Sequence, residues 1–392
     1  MKTSCSNAGR AVARLAGFGL VAVLALAGCA TQPLVAEGPA DQAVVHTQAG
    51  NQLLEQKRYD EALAEYDRAV ALKAKYGPAH AGRAIALAQL GRGEDAHAAL
   101  DAAKAHSDGA TQEVGVGVAR IRVATALKGE DWLEEAEDAF DDYESTAREA
   151  KLAVLHTWMG RAYLLAGKLD KATRTLEAGL GIDKDYPPAS AALRDVNLAR
   201  EALAGMPEQY LAVATEPEID RADVAAIFVA ELKLDRLLDK QGFKPDATFR
   251  APEGRAASTI RREPFVDRAT DVEGHWAKPM IDKMVAYQVM ETVDGKFDPA
   301  HKITKVEMAM LLDGIITKVT GESATKGLGG DMIFSDVPPD HYGAAAVVLA
   351  TSRGFIPARP DGKFGLKDPV SGAEALASVR KVRDFFQSRY NW

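Results

Sequence analysis

Cysteine is almost absent from this 392-residue chain: only Cys5 and Cys29 occur. Cys5 lies in a leader that reads as cleaved, so what remains can form no internal disulfide and must draw its stability from buried apolar cores. The eight histidines are scattered, with no His-Glu-x-x-His pair and no cysteine beside them, so no metal site is expected. Gly327-Leu328-Gly329-Gly330 lacks the lysine and the strand-to-helix setting of a phosphate loop. No nucleophile motif appears either. Together these absences argue against an enzyme and against any cofactor. Positive charge is short as well: 48 Lys and Arg stand against 56 Asp and Glu, for a net charge of -8. That balance excludes nucleic acid as a partner and an electrostatic grip on anionic lipid. After Ala27 no apolar run approaches the roughly 20 residues of a membrane span.

The chain does have an ordered N-terminal segment. Lys2, Arg10 and Arg14 precede an apolar stretch from Leu15 to Ala27, closed by Leu26-Ala27-Gly28-Cys29. Charged, apolar and small segments in that order form an export signal. The closing tetrad resembles the lipobox of bacterial lipoproteins. The resemblance implies cleavage after residue 28, lipidation of Cys29, and several acyl chains holding the protein on a membrane. Residues 29–44 then read as a tether, whose flexible part reaches about 20 Å as a coil. In the sorting rule of many two-membrane bacteria, an Asp after the lipidated Cys favours inner-membrane retention. Ala30 therefore implies an outer membrane lipoprotein facing the periplasm, or the cell surface in an organism with a single membrane.

From Val45 the sequence repeats with a 34-residue period. Gly50, Leu53, Ala62, Tyr66 and Ala69 return as Ala84, Leu87, Ala96, Leu100 and Ala103. The pattern fits again at Ala124, Leu127, Leu133, Ala136 and Phe140, and at Gly160, Tyr163, Leu169, Ala172 and Leu176. Small residues mark where helices approach closely, and larger apolar ones fill the space between. The third copy is irregular, with Tyr143 where a small residue is usual. Pro78 and Pro187-Pro188 start helices. This pattern resembles the tetratricopeptide repeat family, in four copies with a capping helix at 188–204, so that the array covers 45–204. The resemblance implies a curved array whose concave face holds a protein partner. Asn51 falls where some members grip a peptide carboxylate, but the basic residues that would complete such a clamp are missing. The acidic stretch Glu134 to Glu144 reads as a solvated helix face.

A longer period replaces this one beyond Gly205. Asp294-Gly295-Lys296-Phe297 returns as Asp361-Gly362-Lys363-Phe364, and Asp271-Val272 with His275-Trp276 as Asp336-Val337 with His341-Tyr342. Thr304-x-x-Glu307 and Ser371-x-x-Glu374 are capping boxes at helix starts, and Asp220-x-x-Asp223 is a looser one. The stretch 240–262, rich in Pro, Gly and charge, reads as a loop. These motifs resemble the S-layer homology family over 207–388, with a strong middle copy and a first copy that keeps only its helix start. The fold class expected for the chain is thus all-α: a tetratricopeptide-repeat solenoid followed by a mainly helical S-layer-homology pseudo-trimer. The family binds cell-wall polysaccharide, and places an Arg after the N-cap residue toward an acidic sugar substituent. That position holds Arg221, Lys305 and Gly372 here. Arg221 and Lys305 are the expected polymer contacts, whereas Gly372 has lost the charge. Trp276 either stacks on a sugar ring or fills the core.

The expected function is a membrane-anchored lipoprotein that binds cell-wall polysaccharide or peptidoglycan with its C-terminal half and a protein partner with its repeats. The alternative is an accessory for envelope assembly or secretion that binds protein clients only.

Overall fold

The computed structural model describes residues 38, 41–234, 238, 269–321, 334–359 and 361–390. The leader with Cys29, most of the tether, the expected loop at 240–262 and the Gly327–Gly330 stretch lie outside them. Among the described residues the chain is all-α, with no strand beyond three isolated bridges.

Four helix pairs form the first half: α1 (Ala43–Glu55) with α2 (Tyr59–Leu72), α3 (Gly77–Gln89) with α4 (Gly93–His106), α5 (Ala110–Leu127) with α6 (Trp132–Glu149), and α7 (Val154–Leu165) with α8 (Leu169–Ile182). α9 (Pro187–Leu203) follows. Three of the four pairs turn on the same device. The second residue past the first helix is left-handed (Lys57, Gly91, Gly167), and the next amide reaches back to close the helix end, as Arg58 does to Leu53 O at 2.9 Å. The repeat signature is the core itself. Ala62, Tyr66, Ala69, Ala84, Leu87, Ala96, Ala103, Ala136, Ala172 and Leu176 are all 0% exposed. Successive first helices touch (α1–α3, α3–α5, α5–α7, α7–α9) and so form one continuous layer of the array.

The irregular third copy has a structural reason. α5 and α6 are each 18 residues long, a turn more than their neighbours. Gly117 of α5 faces Tyr143 of α6, and a Cβ there would lie 2.8 Å from the Tyr143 ring. A large residue at a small position is thus matched by a glycine on the facing helix. The acidic helix α6 is partly paired, through Asp142 with Arg120 (2.5 Å), Glu137 with Lys171 (2.6 Å) and Glu144 with Arg148 (2.7 Å), while Glu134, Glu135, Asp138 and Asp141 are exposed.

The C-terminal half contains α10 (Leu211–Thr215), α11 (Arg221–Leu232), α12 (Lys278–Ala286), α13 (Lys305–Thr320), α14 (Ala344–Ser352) and α15 (Gly372–Tyr390). Its centre is a closed ring of backbone bonds. The Ile219 amide donates to Val370 O (3.0 Å), Val370 to Ile303 O (2.9 Å), and Ile303 to Ile219 O (3.1 Å). All three side chains are buried. A helix starts immediately after each: α11, α13 and α15. All three starts carry complete capping boxes, including the Asp220–Asp223 pair that looked loose in sequence.

The helices close in the same cyclic order. α11 packs on α12, α13 on α14, and α15 on α9. The last contact gives α9 two roles. Ala189, Ala192 and Val196 seal the final repeat pair, while Ala199 and Ala202 enter the C-terminal core as the missing first helix of copy one. Arg380 of α15 fastens the end of α9, donating to Ala202 O (2.9 Å) and Ala204 O (2.8 Å). The sequence boundary near 204–207 therefore falls at the end of a helix that both halves share.

Two histidines give the repeat array opposite pH responses. His156 is 1% exposed, its ring nitrogens make no hydrogen bond, and Glu144 sits 3.5 Å from Nε2. Burial pushes its pKa below 6.5 against a weaker upward pull from Glu144. His46 is raised above 6.5, chiefly by its bond to Glu65 (2.6 Å), with Asp41 (2.9 Å) adding to it against burial. Folding sheds a proton at His156, so stability falls as pH drops from 6.5 toward its folded value. His46 holds its proton in the fold, so its contribution is complete below 6.5 and is lost as pH rises through its folded value. Melting curves between about pH 5 and about pH 8 should show His156→Gln flattening the acid limb and His46→Gln the alkaline limb. An unchanged acid limb in the first variant contradicts the assignment.

Candidate ligand groove

One groove of 1490 Å³ opens where the three copies of the C-terminal half meet. Copy one gives Arg221 at the start of α11. Copy two gives the loop from Glu291 to His301 and one face of α13. Copy three gives Tyr342.

The loop is built by its own sequence. Asp294 and Gly295 both have positive φ (52° and 74°), and Val293 and Lys296 exchange two backbone bonds of 2.9 Å across them. This is the two-residue turn that Asp-Gly favours. Asp271 then clamps the loop from outside, accepting from the Phe297 amide (2.8 Å) and the Asp298 amide (2.7 Å). Asp336 repeats the clamp on Phe364 (2.9 Å) and Gly365 (2.7 Å). The Asp-Val and Asp-Gly-x-Phe motifs are thus two halves of one structural unit. Burial pushes both carboxyls up, but the amides they accept from outweigh it and hold each below the usual carboxylate range.

Arg221 is half-buried. Its Nε donates to Phe297 O (2.7 Å), one terminal nitrogen donates to Glu291 O (2.8 Å), and its plane lies 4.5 Å from the Phe297 ring centroid. Burial draws the guanidinium below its ordinary pKa, opposed by Glu307, Asp298 and Asp271. Two carbonyl bonds leave further N–H groups of the fork unused by the loop. Glu307 is engaged by Thr304 and by His301 Nε2 at 3.0 Å. Val293, Met310 and Tyr342 line the same groove and are three of the six large apolar residues found exposed among the described residues. The groove thus combines the anchored Arg221, two lysines (Lys296 and Lys318), carboxylates of which Asp271 and Glu307 are held by backbone or side-chain donors, and an apolar rim. No cluster suited to a metal ion occurs among the described residues.

The other sequence-derived residues are not brought here. Trp276 is 59% exposed, which removes the core reading, but it does not line the groove; its counterpart Tyr342 does. Lys305 lies outside too. Its side chain is nearly buried, with Nζ 3.4 Å from Glu374, the capping acid of the next copy. Gly372 occupies a third, blocked position. Its amide donates to Glu216 O (2.9 Å), and a Cβ would fall 1.6 Å from Val213 O. The segment 211–216 that follows the repeats lies over this helix start, and only glycine leaves it room. Sequence reasoning took this glycine for simple loss of charge and overlooked Tyr342 in the groove, although the repeat alignment His275-Trp276/His341-Tyr342 held the signal. Asn51, which falls where some members of the repeat family grip a peptide carboxylate, accepts from the Tyr66 hydroxyl at 2.7 Å.

Two family models match parts of the chain. The tetratricopeptide repeat family model matches residues 53–113. The S-layer homology domain model matches 270–309 and 333–376. Cell surface glycoprotein 1 of Acetivibrio thermocellus is 33% identical over 86 residues, which is 22% of this chain and 4% of the length of that relative. A crystal structure of a thermophilic TPR protein from Thermus thermophilus is 24% identical with a TM-score of 0.35, covering 51% of this chain and 97% of the other. The chain thus carries tetratricopeptide and S-layer homology repeats.

Gly372→Ala should cost about 3 kcal/mol by overpacking and lower the melting temperature by roughly 6–12 °C. Gly181→Ala, on an exposed helix position with nothing within 4 Å of the added carbon, is the control and should not lower it. Equal melting of the Gly372 variant and the parent would contradict the blocked position.

Proposed function

We propose that this chain is a lipoprotein of the cell envelope that binds a cell-wall polysaccharide in the Arg221 groove and a protein partner on the inner face of its repeats. The observation that carries the reading is the meeting of Arg221 with exposed Val293, Met310 and Tyr342 in one groove. A saccharide with an acidic substituent suits it: the substituent meets the guanidinium fork, and the apolar ring face meets Tyr342. The matched families and the cell surface relative support an envelope location. Cys29 would carry the lipid, and Ala30 favours the outer membrane with the protein facing the periplasm. Neither half needs catalytic chemistry or a cofactor for this.

Of the two basic residues read from sequence, Arg221 is the one proposed to meet the polymer. Lys305 is engaged with Glu374, so one groove per chain is open to ligand. The alternative, an assembly or secretion accessory that binds protein clients only, draws on the same two observations: the spent Lys305 and the covered Gly372.

Co-sedimentation with purified sacculi separates the two. Tyr342→Ala should weaken binding by about 1 kcal/mol, a roughly fivefold loss. Arg221→Ala should lose at least about tenfold, and Lys305→Ala should bind like the parent. Tyr342 is 74% exposed, so its variant should also melt like the parent. Full binding by both the Arg221 and the Tyr342 variants would exclude the groove and leave the accessory reading.

Anchoring is tested by Cys29→Ser, which should abolish metabolic palmitate labelling and move the protein from the membrane fraction to the soluble one. Continued labelling would contradict it.

A further inference from the structure

The groove beside Arg221 continues along α13. Glu307, Met310, Leu311, Gly314 and Lys318 recur at helical spacing, so they share one face of the helix, and all of them line the groove. Glu307, whose charge acts on Arg221, begins this face, and Gly314 lies about 10 Å further along it. The turn after α12 adds Gln288, Val289 and Met290 to the same lining.

Gly314 is exposed in the interior of a 16-residue helix, where glycine weakens the helix relative to alanine. The fold does not call for it. Its φ is not positive, and an added Cβ would meet nothing within 4 Å. Gly115 and Gly181 of the repeats are as open, so openness alone marks no site. What sets Gly314 apart is the corresponding place in copy three. Counted from the capping boxes Thr304–Glu307 and Ser371–Glu374, that place holds Lys381 on α15. Lys381 reaches over to the turn after α14, where its Nζ donates to Gly354 O at 2.7 Å. Gly354 and Gln288 are matching residues: each is left-handed and stands second after its helix, α14 or α12. Copy three thus spans with a side chain the gap that copy two leaves open at Gly314, between α13 and the Gln288 turn.

We propose that the opening at Gly314 is a second subsite of the groove, which takes the sugar residue next to the one held at Arg221. The subsite rests on the reading of the groove as a polysaccharide site. It narrows the ligand to a chain lying lengthwise along α13 rather than a single terminal sugar. Leu311, one turn before Gly314, and Val289, next to Gln288, are the apolar part of the lining there. Lys318, one turn beyond, and Glu291 act on each other. Such a surface suits a neutral ring, whose apolar face lies on the bare helix while its hydroxyls reach the exposed Gln288 amide. The acidic substituent stays at Arg221.

Co-sedimentation with purified sacculi, run beside thermal melts, tests this on the full chain. Gly314→Met places an uncharged, unbranched side chain in the opening and should weaken binding about tenfold. Its melting temperature should not fall, since methionine favours a helix more than glycine does. Gly314→Lys copies copy three and should weaken binding likewise; losing an acidic polymer despite an added positive charge leaves blocked space as the cause. Gly314→Ala should lose less than either. Binding equal to the parent by both longer variants, with Arg221→Ala losing it, would overturn the second subsite and leave the Arg221 groove standing. Early melting of both longer variants would mean that the space over Gly314 is not open, and would overturn the subsite as well. Failure of the parent to bind would overturn the subsite together with the polysaccharide reading.

Discussion

Three amides, those of Ile219, Ile303 and Val370, hold the C-terminal half together by donating to one another's carbonyls in a closed cycle. The cycle demands three chain segments of like geometry, each entering a helix one residue later. That demand explains the capping residues Asp220, Thr304 and Ser371, since a helix that begins at a crowded centre must satisfy its first amides locally. It also explains why the chain recruits α9. A ring of three helix pairs needs a third first helix, and the end of the repeat array supplies it through Ala199 and Ala202. The two repeat systems are joined by sharing an element. The exposed pairs Lys57–Glu218 and Lys128–Glu216 add little to that junction.

The same sharing breaks the threefold equivalence. Each of the three helix starts could in principle face a ligand. The segment 211–216, which brings the chain from α9 to the ring, lies across the start of α15 and requires Gly372 beneath it. Lys305 turns to Glu374 of the neighbouring copy. Arg221 alone keeps an anchored guanidinium beside a groove with an exposed apolar rim. One site stays open because another is covered by the connection to the repeats, so the asymmetry is a consequence of how the halves are joined.

Much of this was legible in the sequence, and the reason is periodicity. Ala62, Ala69, Ala96 and Ala103 must be small wherever two helices touch, so the 34-residue pattern declares the array and its four copies. Thr304-x-x-Glu307 and Ser371-x-x-Glu374 declare helix starts because capping is local chemistry. What stayed hidden depends on partners distant in sequence. Tyr143 makes sense only beside Gly117, and Gly372 only beneath Val213. α9 reads as a cap because Ala189, Ala192 and Val196 continue the repeat pattern, while the second face formed by Ala199 and Ala202 has no period to reveal it. Arg122 and Trp158 come from different repeats, and only the packing of α5 against α7 puts one over the other.

The account turns on a threefold domain with one open groove at its three helix starts among the described residues. Calorimetric titration of the intact chain with oligosaccharide fragments released from its own organism's cell wall measures this directly. One equivalent bound per chain is the predicted result. Two or three equivalents would mean that the Lys305 and Gly372 positions also bind, and no heat of binding would mean that the groove at Arg221 is not a wall-polymer site.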